Sequence, residues 1–365
     1  METTYLVVTT ALFAAVVNCC PPADLSALLA FKSALTEPYL GIFNTWTGTD
    51  CCTNWYGVSC DPTDSHVIHV ILRGESEDKL MIDKTGQISF MSGSLSPSLC
   101  SLDRLTTLIV SDWKGISGEI PACITSFSHL RILDLTGNQI TGEIPVDIGK
   151  LGKLAVLNIA DNNITGNIPP SIVNLRNLMH LDLSSNRISG EIPADIGKLS
   201  MMSRVLLKQN QLTGKIPTSI TKIYRLADLD LSMNQISGTI PAELGSMPVL
   251  STLYLDNNQL YGEIPVSILR NTGLNIVNLS SNSLVGYLPD VFTPTTYFSM
   301  IDLSHNELKG SIPASLTSAK YIGHLDLSNN HFCGAIPAGS PFEQLEASSF
   351  SGNDCLCGTP LTRVC

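Results

Sequence analysis

Between Gly118 and Pro337 the apolar and polar positions of the chain follow one rule, written over and over. From Leu130 to Pro145 it reads Leu-Arg-Ile-Leu-Asp-Leu-Thr-Gly-Asn-Gln-Ile-Thr-Gly-Glu-Ile-Pro. The opening Leu-x-x-Leu-x-Leu alternates apolar and polar residues, the period of a short strand with one buried face. Leu133 and Leu135 are expected to point inward, and Ile132, Asp134 and Thr136 outward. A Gly with a Pro three residues later recurs at 118/121, 142/145, 166/169, 190/193, 214/217, 238/241, 262/265, 286/289, 310/313 and 334/337, always 24 residues apart. Asparagine keeps the same step at Asn138, Asn162, Asn186, Asn210, Asn234, Asn258, Asn282, Asn306 and Asn330. At each Asn the chain is expected to turn inward, its carboxamide satisfying backbone groups of neighbouring coils that would otherwise be buried unpaired. The Gly permits a bend, and Ile-Pro sets an extended piece on the next side.

One coil cannot bury its own leucines, so coils must stack, with strands about 4.8 Å apart in one parallel sheet. The spacing predicts an α/β leucine-rich-repeat solenoid of about 11 coils of 24 residues, on the order of 50 Å long, with the parallel sheet on its concave face. In front of the array, Leu25, Leu28, Leu29, Phe31 and Leu35 fit one face of a short helix starting at Asp24. Trp46, Trp55 and Tyr56 are expected to pack between that helix and a first strand, Val67 to Leu72. Arg73 to Phe90 interrupts the repeat with a charged loop carrying Glu75, Glu77, Asp78 and Lys79. Tyr5 to Val17 is apolar, uncharged and of signal-peptide length, with cleavage expected after Cys19. The organisation reads as a signal peptide at 1–19, an N-terminal cysteine cap at 20–62, leucine-rich repeats at 63–337 and a C-terminal cysteine cap at 338–365.

Cysteine usage agrees with export. Of eleven cysteines, removal of Cys19 leaves ten, most of them at the two ends of the array. The pairs expected are Cys20–Cys51 and Cys52–Cys60 in front, and Cys333–Cys355 and Cys357–Cys365 behind, covering the apolar ends of the stack. Cys100 and Cys123 occupy nearly equivalent places in successive coils, close enough to bridge. A zinc site is disfavoured, because no His accompanies these clusters at ligand spacing. No cofactor is expected. No apolar run of membrane length follows residue 20, and neither a GPI-type tail nor a kinase signature is present, so a free, monomeric ectodomain is expected.

The Leu-x-Gly-x-Ile-Pro repeat, Cys51-Cys52 with Trp55-Tyr56-Gly57-Val58-Ser59-Cys60, and the closing Cys355-Leu356-Cys357-Gly358-x-Pro360-Leu361 resemble the plant-specific extracellular leucine-rich-repeat proteins. Polygalacturonase-inhibiting proteins and the ectodomains of plant receptor kinases belong to that group. Arg73-Gly74-Glu75-Ser76-Glu77-Asp78, Asp112-Trp113-Lys114-Gly115-Ile116, Arg204-Val205-Leu206-Leu207 and Pro341-Phe342-Glu343-Gln344-Leu345-Glu346-Ala347 resemble the branch named for DNA-damage repair/toleration. That branch name implies a stress-tolerance role. The net charge of −11 leaves no basic footprint for DNA, so no nucleic-acid partner is expected.

The outward strand positions supply the candidate binding surface. One column runs Asp134, Asn158, Asp182, Leu206, Asp230, Tyr254, Asn278, Asp302, Asp326; beside it lie Ile132, Val156, His180, Arg204, Asp228, Thr252, Ile276, Met300 and His324. A single Asp there is most simply a solvated charge. The middle coils depart from the pattern: His180, Asp182, Arg204, Lys208, Asp228, Asp230, Tyr254 and Asp256 should cluster across four strands, mixing both signs with an aromatic, as protein interfaces do. The cluster resembles the concave patch with which polygalacturonase-inhibiting proteins hold a fungal enzyme. The expected function is a secreted, non-enzymatic protein that recognises a protein or glycan partner at the plant cell wall and inhibits a pathogen hydrolase, with DNA-damage toleration as the alternative. Paired carboxylates such as Asp182 and Asp230 lie on an open face without a desolvated pocket, which argues against catalysis. Asn163-Ile-Thr165 and Asn278-Leu-Ser280 are N-glycosylation sequons. Ice binding through the Thr141, Thr165 and Thr213 face is disfavoured by Glu143, Glu191 and Lys215.

Overall fold

The computed structural model describes residues 20–75 and 89–365. The signal-peptide expectation for 1–19, and Glu77, Asp78 and Lys79 of the charged loop, lie outside the described residues. The rest is a leucine-rich-repeat solenoid with a cysteine-bonded cap at each end. Its concave face is a twelve-stranded sheet, parallel from the strand Val67–Arg73 to Leu325–Asp326. The first strand, Val58–Cys60, runs antiparallel to Val67–Arg73 and closes that edge. Short second-side strands such as Gln139–Thr141 and Gln259–Glu263 form a discontinuous second layer, and 3-10 turns such as Ala242–Ser246 form the outer side.

The register is in phase throughout: Leu133 lies opposite Leu157, Leu181 opposite Val205, and Leu229 opposite Leu253. The inward leucines and the isoleucines of Ile-Pro are buried in one continuous core from Cys20 to Leu356. Asparagine joins one coil to the next. The Asn162 carboxamide donates to the carbonyls of Leu135 (2.9 Å), Ile159 (3.2 Å) and Ala160 (2.9 Å), and its Oδ1 accepts the Ile140 N–H (2.9 Å). The same four bonds recur at Asn210, Asn258 and Asn306. Asn353 continues the series into the C-terminal cap, donating to Leu327 and Phe350 and accepting from Phe332. At the other end the Trp113 indole N–H donates to the Leu72 carbonyl (3.0 Å), taking the place of an asparagine. Gly142 shows why its position is glycine: φ is +78°, and a Cβ would meet the Glu119 Cγ of the preceding coil at 2.7 Å.

The N-terminal cap departs from expectation in two places. The helix spans Pro22–Ser33 and starts on two prolines rather than at Asp24, because Pro at N1 is already set to helical φ. Asp24 instead faces inward, where its carboxylate accepts the Val67 N–H (2.8 Å) and contacts His66 Nδ1 (3.3 Å). Leu29 is exposed, and Leu35 leaves the helix to pair with Gly93 in an antiparallel strand. Trp46 and Trp55 are buried and stacked, ring centroids 5.0 Å apart, with Tyr56 partly buried beside them. Disulfides join Cys20–Cys51, Cys52–Cys60, Cys100–Cys123, Cys333–Cys355 and Cys357–Cys365. Cys100 and Cys123 tie the 3-10 turns Pro97–Ser101 and Ala122–Ser126 across two coils.

Replacing a ladder asparagine should be costly. Asn210→Ala leaves the Ile188 N–H without its acceptor and removes one donor each from the carbonyls of Leu183, Leu207 and Lys208, which keep Asn186, Asn234 and the Ser185 N–H. A loss of about 2–4 kcal/mol is expected in urea unfolding, from four bonds of about 1 kcal/mol each and the penalty for the one N–H left unpaired. The exposed Gln211→Ala should change the same midpoint little.

Candidate binding face on the concave sheet

The strands His180–Asp182, Arg204–Leu206, Asp228–Asp230 and Thr252–Tyr254 are consecutive in the concave sheet. Their register places His180, Arg204 and Asp228 in one row, and Asp182, Leu206, Asp230 and Tyr254 in the next. Lys208 and Asp256 stand just beyond two of these strands, where the backbone turns toward the ladder asparagines. The fold thus brings onto one surface residues that lie up to three coils apart in sequence.

Two features of this surface go beyond what the residue spacing predicts. The first is an ion pair: Arg204 Nε lies 2.8 Å from Asp228 Oδ2, so the two charges face each other across neighbouring coils. Arg204 is exposed, so the pair contributes at most about 1 kcal/mol and leaves the guanidinium accessible to a partner. The second is the use made of the Asp column. Asp134, Asp182, Asp230, Asp302 and Asp326 each accept, through Oδ1, the N–H two residues on, at 3.2, 3.0, 3.0, 3.0 and 2.9 Å. Asn158 and Asn278 do the same. At Asp230, Asn278 and Asp302 the following Ser hydroxyl adds a second bond. These Asx turns end each strand and steer the chain to the next ladder Asn. An Asp in this column is therefore part of the coil, and the signal for it in the sequence is the Asp-Leu-Ser triplet.

The electrostatics separate Asp256 from its neighbours. Burial raises its carboxyl above the ordinary value, and repulsion from Asp230 adds to this, while the Asn257 hydrogen bond and Lys208 oppose it. Burial, with Asp230 and Asp256 nearby, also raises the Tyr254 phenol. Asp134 is raised chiefly by burial as well. Tyr254 thus feels the charges of Asp230 and Asp256, and Asp256 those of Asp230 and Lys208. The sequon residue Asn278 sits in the concave column with its carboxamide oxygen bound to Ser280, and Asn163 is half-buried beside the ladder. Among the described residues, the sulfurs of Cys20, Cys51 and Cys52 form the one grouping of three close potential metal donors, and disulfides occupy all three. No helix among the described residues is long and apolar enough to cross a membrane.

Repeat coils, cysteine caps and an open parallel face are the features of plant leucine-rich-repeat ectodomains, and the comparisons agree. The model for a leucine-rich repeat region matches residues 87–214, a leucine-rich-repeat N-terminal domain matches 21–61, and single leucine-rich repeats match 225–247 and 249–271. The chain carries a leucine-rich-repeat N-terminal domain followed by leucine-rich repeats, and it is similar to plant extracellular leucine-rich-repeat proteins. It is 60% identical over 126 residues to the DNA damage-repair/toleration protein DRT100 of Arabidopsis thaliana, covering 34% of each chain. To polygalacturonase inhibitor 1 of Oryza sativa subsp. japonica it is 30% identical over 123 residues, 33% of this chain and 32% of that one. These matches span about a third of either relative's length. Among solved structures, a plant ice-binding protein superposes with a TM-score of 0.68 at 26% identity, over 95% of this chain and 98% of its own. The ectodomain of the Arabidopsis receptor kinase HAESA, bound to an IDA peptide hormone, superposes with a TM-score of 0.65 at 29% identity, over 91% and 56%.

The raised carboxyls set a pH dependence. A folded pKa above the unfolded one means that folding disfavours the charged form, so stability falls as pH rises from the ordinary carboxylate value of 3.8 through the raised one. Asp256→Asn removes one such group. Its Tm should exceed that of the unchanged protein by about 1–3 °C at neutral pH and converge with it below pH 3.8. Equal offsets at both pH values would show that Asp256 carries no such linkage.

Proposed function

We propose that the chain is a secreted, non-enzymatic binding protein that holds a protein or glycan partner at the plant cell wall through its concave sheet, and that it inhibits a pathogen hydrolase there. The observation that carries this reading is the surface around Arg204 and Asp228, where both signs of charge and Tyr254 meet on adjacent strands of the open sheet. A broad, mixed surface with an arginine and a tyrosine suits a macromolecular partner. It does not suit catalysis. Asp182 and Asp230 sit two strands apart with Leu206 between them, roughly 10 Å at the backbone, and each is held in an Asx turn. Five disulfides and the apolar N-terminal segment favour an extracellular location, and the polygalacturonase inhibitor relative favours the inhibitory role.

The DRT100 relative motivates the second reading, a DNA-damage toleration factor. A net charge of −11 weighs against direct contact with DNA. Likeness to the ice-binding protein does not extend to its ligand: Thr141 and Thr165 spend their hydroxyls on the Gly118 and Gly142 carbonyls, and Glu143, Glu191 and Lys215 interrupt that face.

Capture from cell-wall extracts of infected tissue tests the first reading. Arg204→Glu should lower retention of the bound partner about tenfold or more, with an unchanged melting curve. Retention unaffected by Arg204→Glu and by Asp228→Lys would remove the central patch. A C-terminal fluorescent fusion should light the apoplast, and nuclear or plastid signal would favour the second reading instead.

A further inference from the structure

The concave side carries a second feature that the central patch does not use. Two depressions of about 370 and 290 Å³ adjoin at its N-terminal half, sharing Arg131 and Ala155. Ile132 and Val156 line the first, and Lys153, Met179 and Met201 the second, so together they form a groove across consecutive coils. Arg131 and Lys153 are both exposed. Neither side chain makes an ion pair or a hydrogen bond among the described residues, whereas Arg104, Lys150, Lys198 and Arg204 all have carboxylate partners. Among the described residues no Asp or Glu lines either depression, in a chain whose net charge is −11. The groove is thus a local reversal of the molecule's charge, between walls that mix apolar Ile132, Val156, Met179 and Met201 with polar His69 and Asn177.

We infer that this groove binds an acidic peptide segment of a partner protein. An Asp or Glu of the segment pairs with Arg131 and Lys153, and its apolar neighbours pack on Ile132 and Val156 at one end and on the two methionines at the other. A bare anion would leave those walls unused. An acidic polysaccharide brings carboxylates and hydroxyls but no apolar side chains for Met179, which is 41% exposed and adaptable in shape. The paired cations also steer an acidic segment toward a protein that otherwise repels it. This inference rests on the concave side being the binding side. Its residues are separate from Arg204 and Asp228, so the two sites fail independently.

Selection of a random displayed peptide library on the immobilised secreted chain tests it. Sequences with Asp or Glu flanked by apolar residues should be enriched. The selected peptides should bind the Arg131→Glu/Lys153→Glu variant at least about tenfold more weakly, and the charge-neutral Arg131→Met/Lys153→Met variant weakly too. Arg204→Glu should leave them unaffected. Both altered side chains are exposed, so the variants should melt as the unchanged protein does. Three results would overturn the inference. One is a selection without acidic enrichment, and another is binders indifferent to both double variants. The third is oligogalacturonate binding, measured by calorimetry, that is lost in those variants while no selected peptide binds the groove.

Discussion

The structure depends on satisfying the backbone where each coil turns inward. At that bend, carbonyls such as those of Leu135 and Ile159 take their donors from the ladder, each from two successive asparagines. An unpaired buried carbonyl is expensive, and the stack repeats the bend in every coil. One carboxamide with two N–H groups and one oxygen meets three carbonyls and the N–H of the preceding coil, and no other side chain of that size offers the same set. Each coil is therefore bonded to the one before it through side chains as well as strands. Register is fixed by this as much as by the leucines, and a fixed register turns a 24-residue sequence step into a straight column of side chains on the concave face.

A rigid column restricts what its members can do. The Asp positions look like a negative stripe awaiting a ligand, yet most spend an oxygen on the Asx turn that ends their own strand. What distinguishes one coil from another lies in the residues the coil does not need: His180, Arg204 and Asp228 at the first outward position, Lys208 and Asp256 past the strand, Arg131 and Lys153 at the margin. The carboxylates sit mainly on the sheet, and the unpaired cations of the N-terminal half sit beside it. The concave side thus presents opposite fields within a few coils, an arrangement that in general favours orientation over raw affinity.

Much of this was legible in the chain because the same physical problem is solved once per coil. Leucine spacing, the ladder asparagines and the positive-φ glycines repeat in phase, and the cysteines gather where the stack would otherwise expose its core. Elements that solve the problem by other means escaped notice. Trp113 stands 25 residues before Asn138 and Asn353 stands 23 after Asn330, so neither keeps the step, although both continue the ladder. The cap helix began earlier than its apolar face suggested because two prolines favour the start. The Arg204–Asp228 pair depends on which rotamers meet across 24 residues, which spacing alone does not set. The groove at Arg131 escaped for a related reason. Its walls come from two adjacent columns, only one of them the outward positions of the strands.

The ice-binding protein shares this fold, and a shared fold does not by itself carry a shared ligand. That structure superposes over nearly the whole chain with only 26% of residues in common. A coil needs its leucines, its asparagine, its glycine and its Ile-Pro, and these few positions are enough to reproduce the solenoid while leaving every outward position open to change. The likeness is consequently a statement about the fold. Ligand choice lies in the remainder, and on this chain the remainder carries exposed charge of both signs on the concave side and hydroxyls already bonded to backbone on the second. A regular ice-like or crystalline surface is matched by uniform, unpaired groups at a constant spacing. An irregular macromolecule is matched by a few charged and aromatic side chains that differ from coil to coil, which is the pattern from His180 to Asp256.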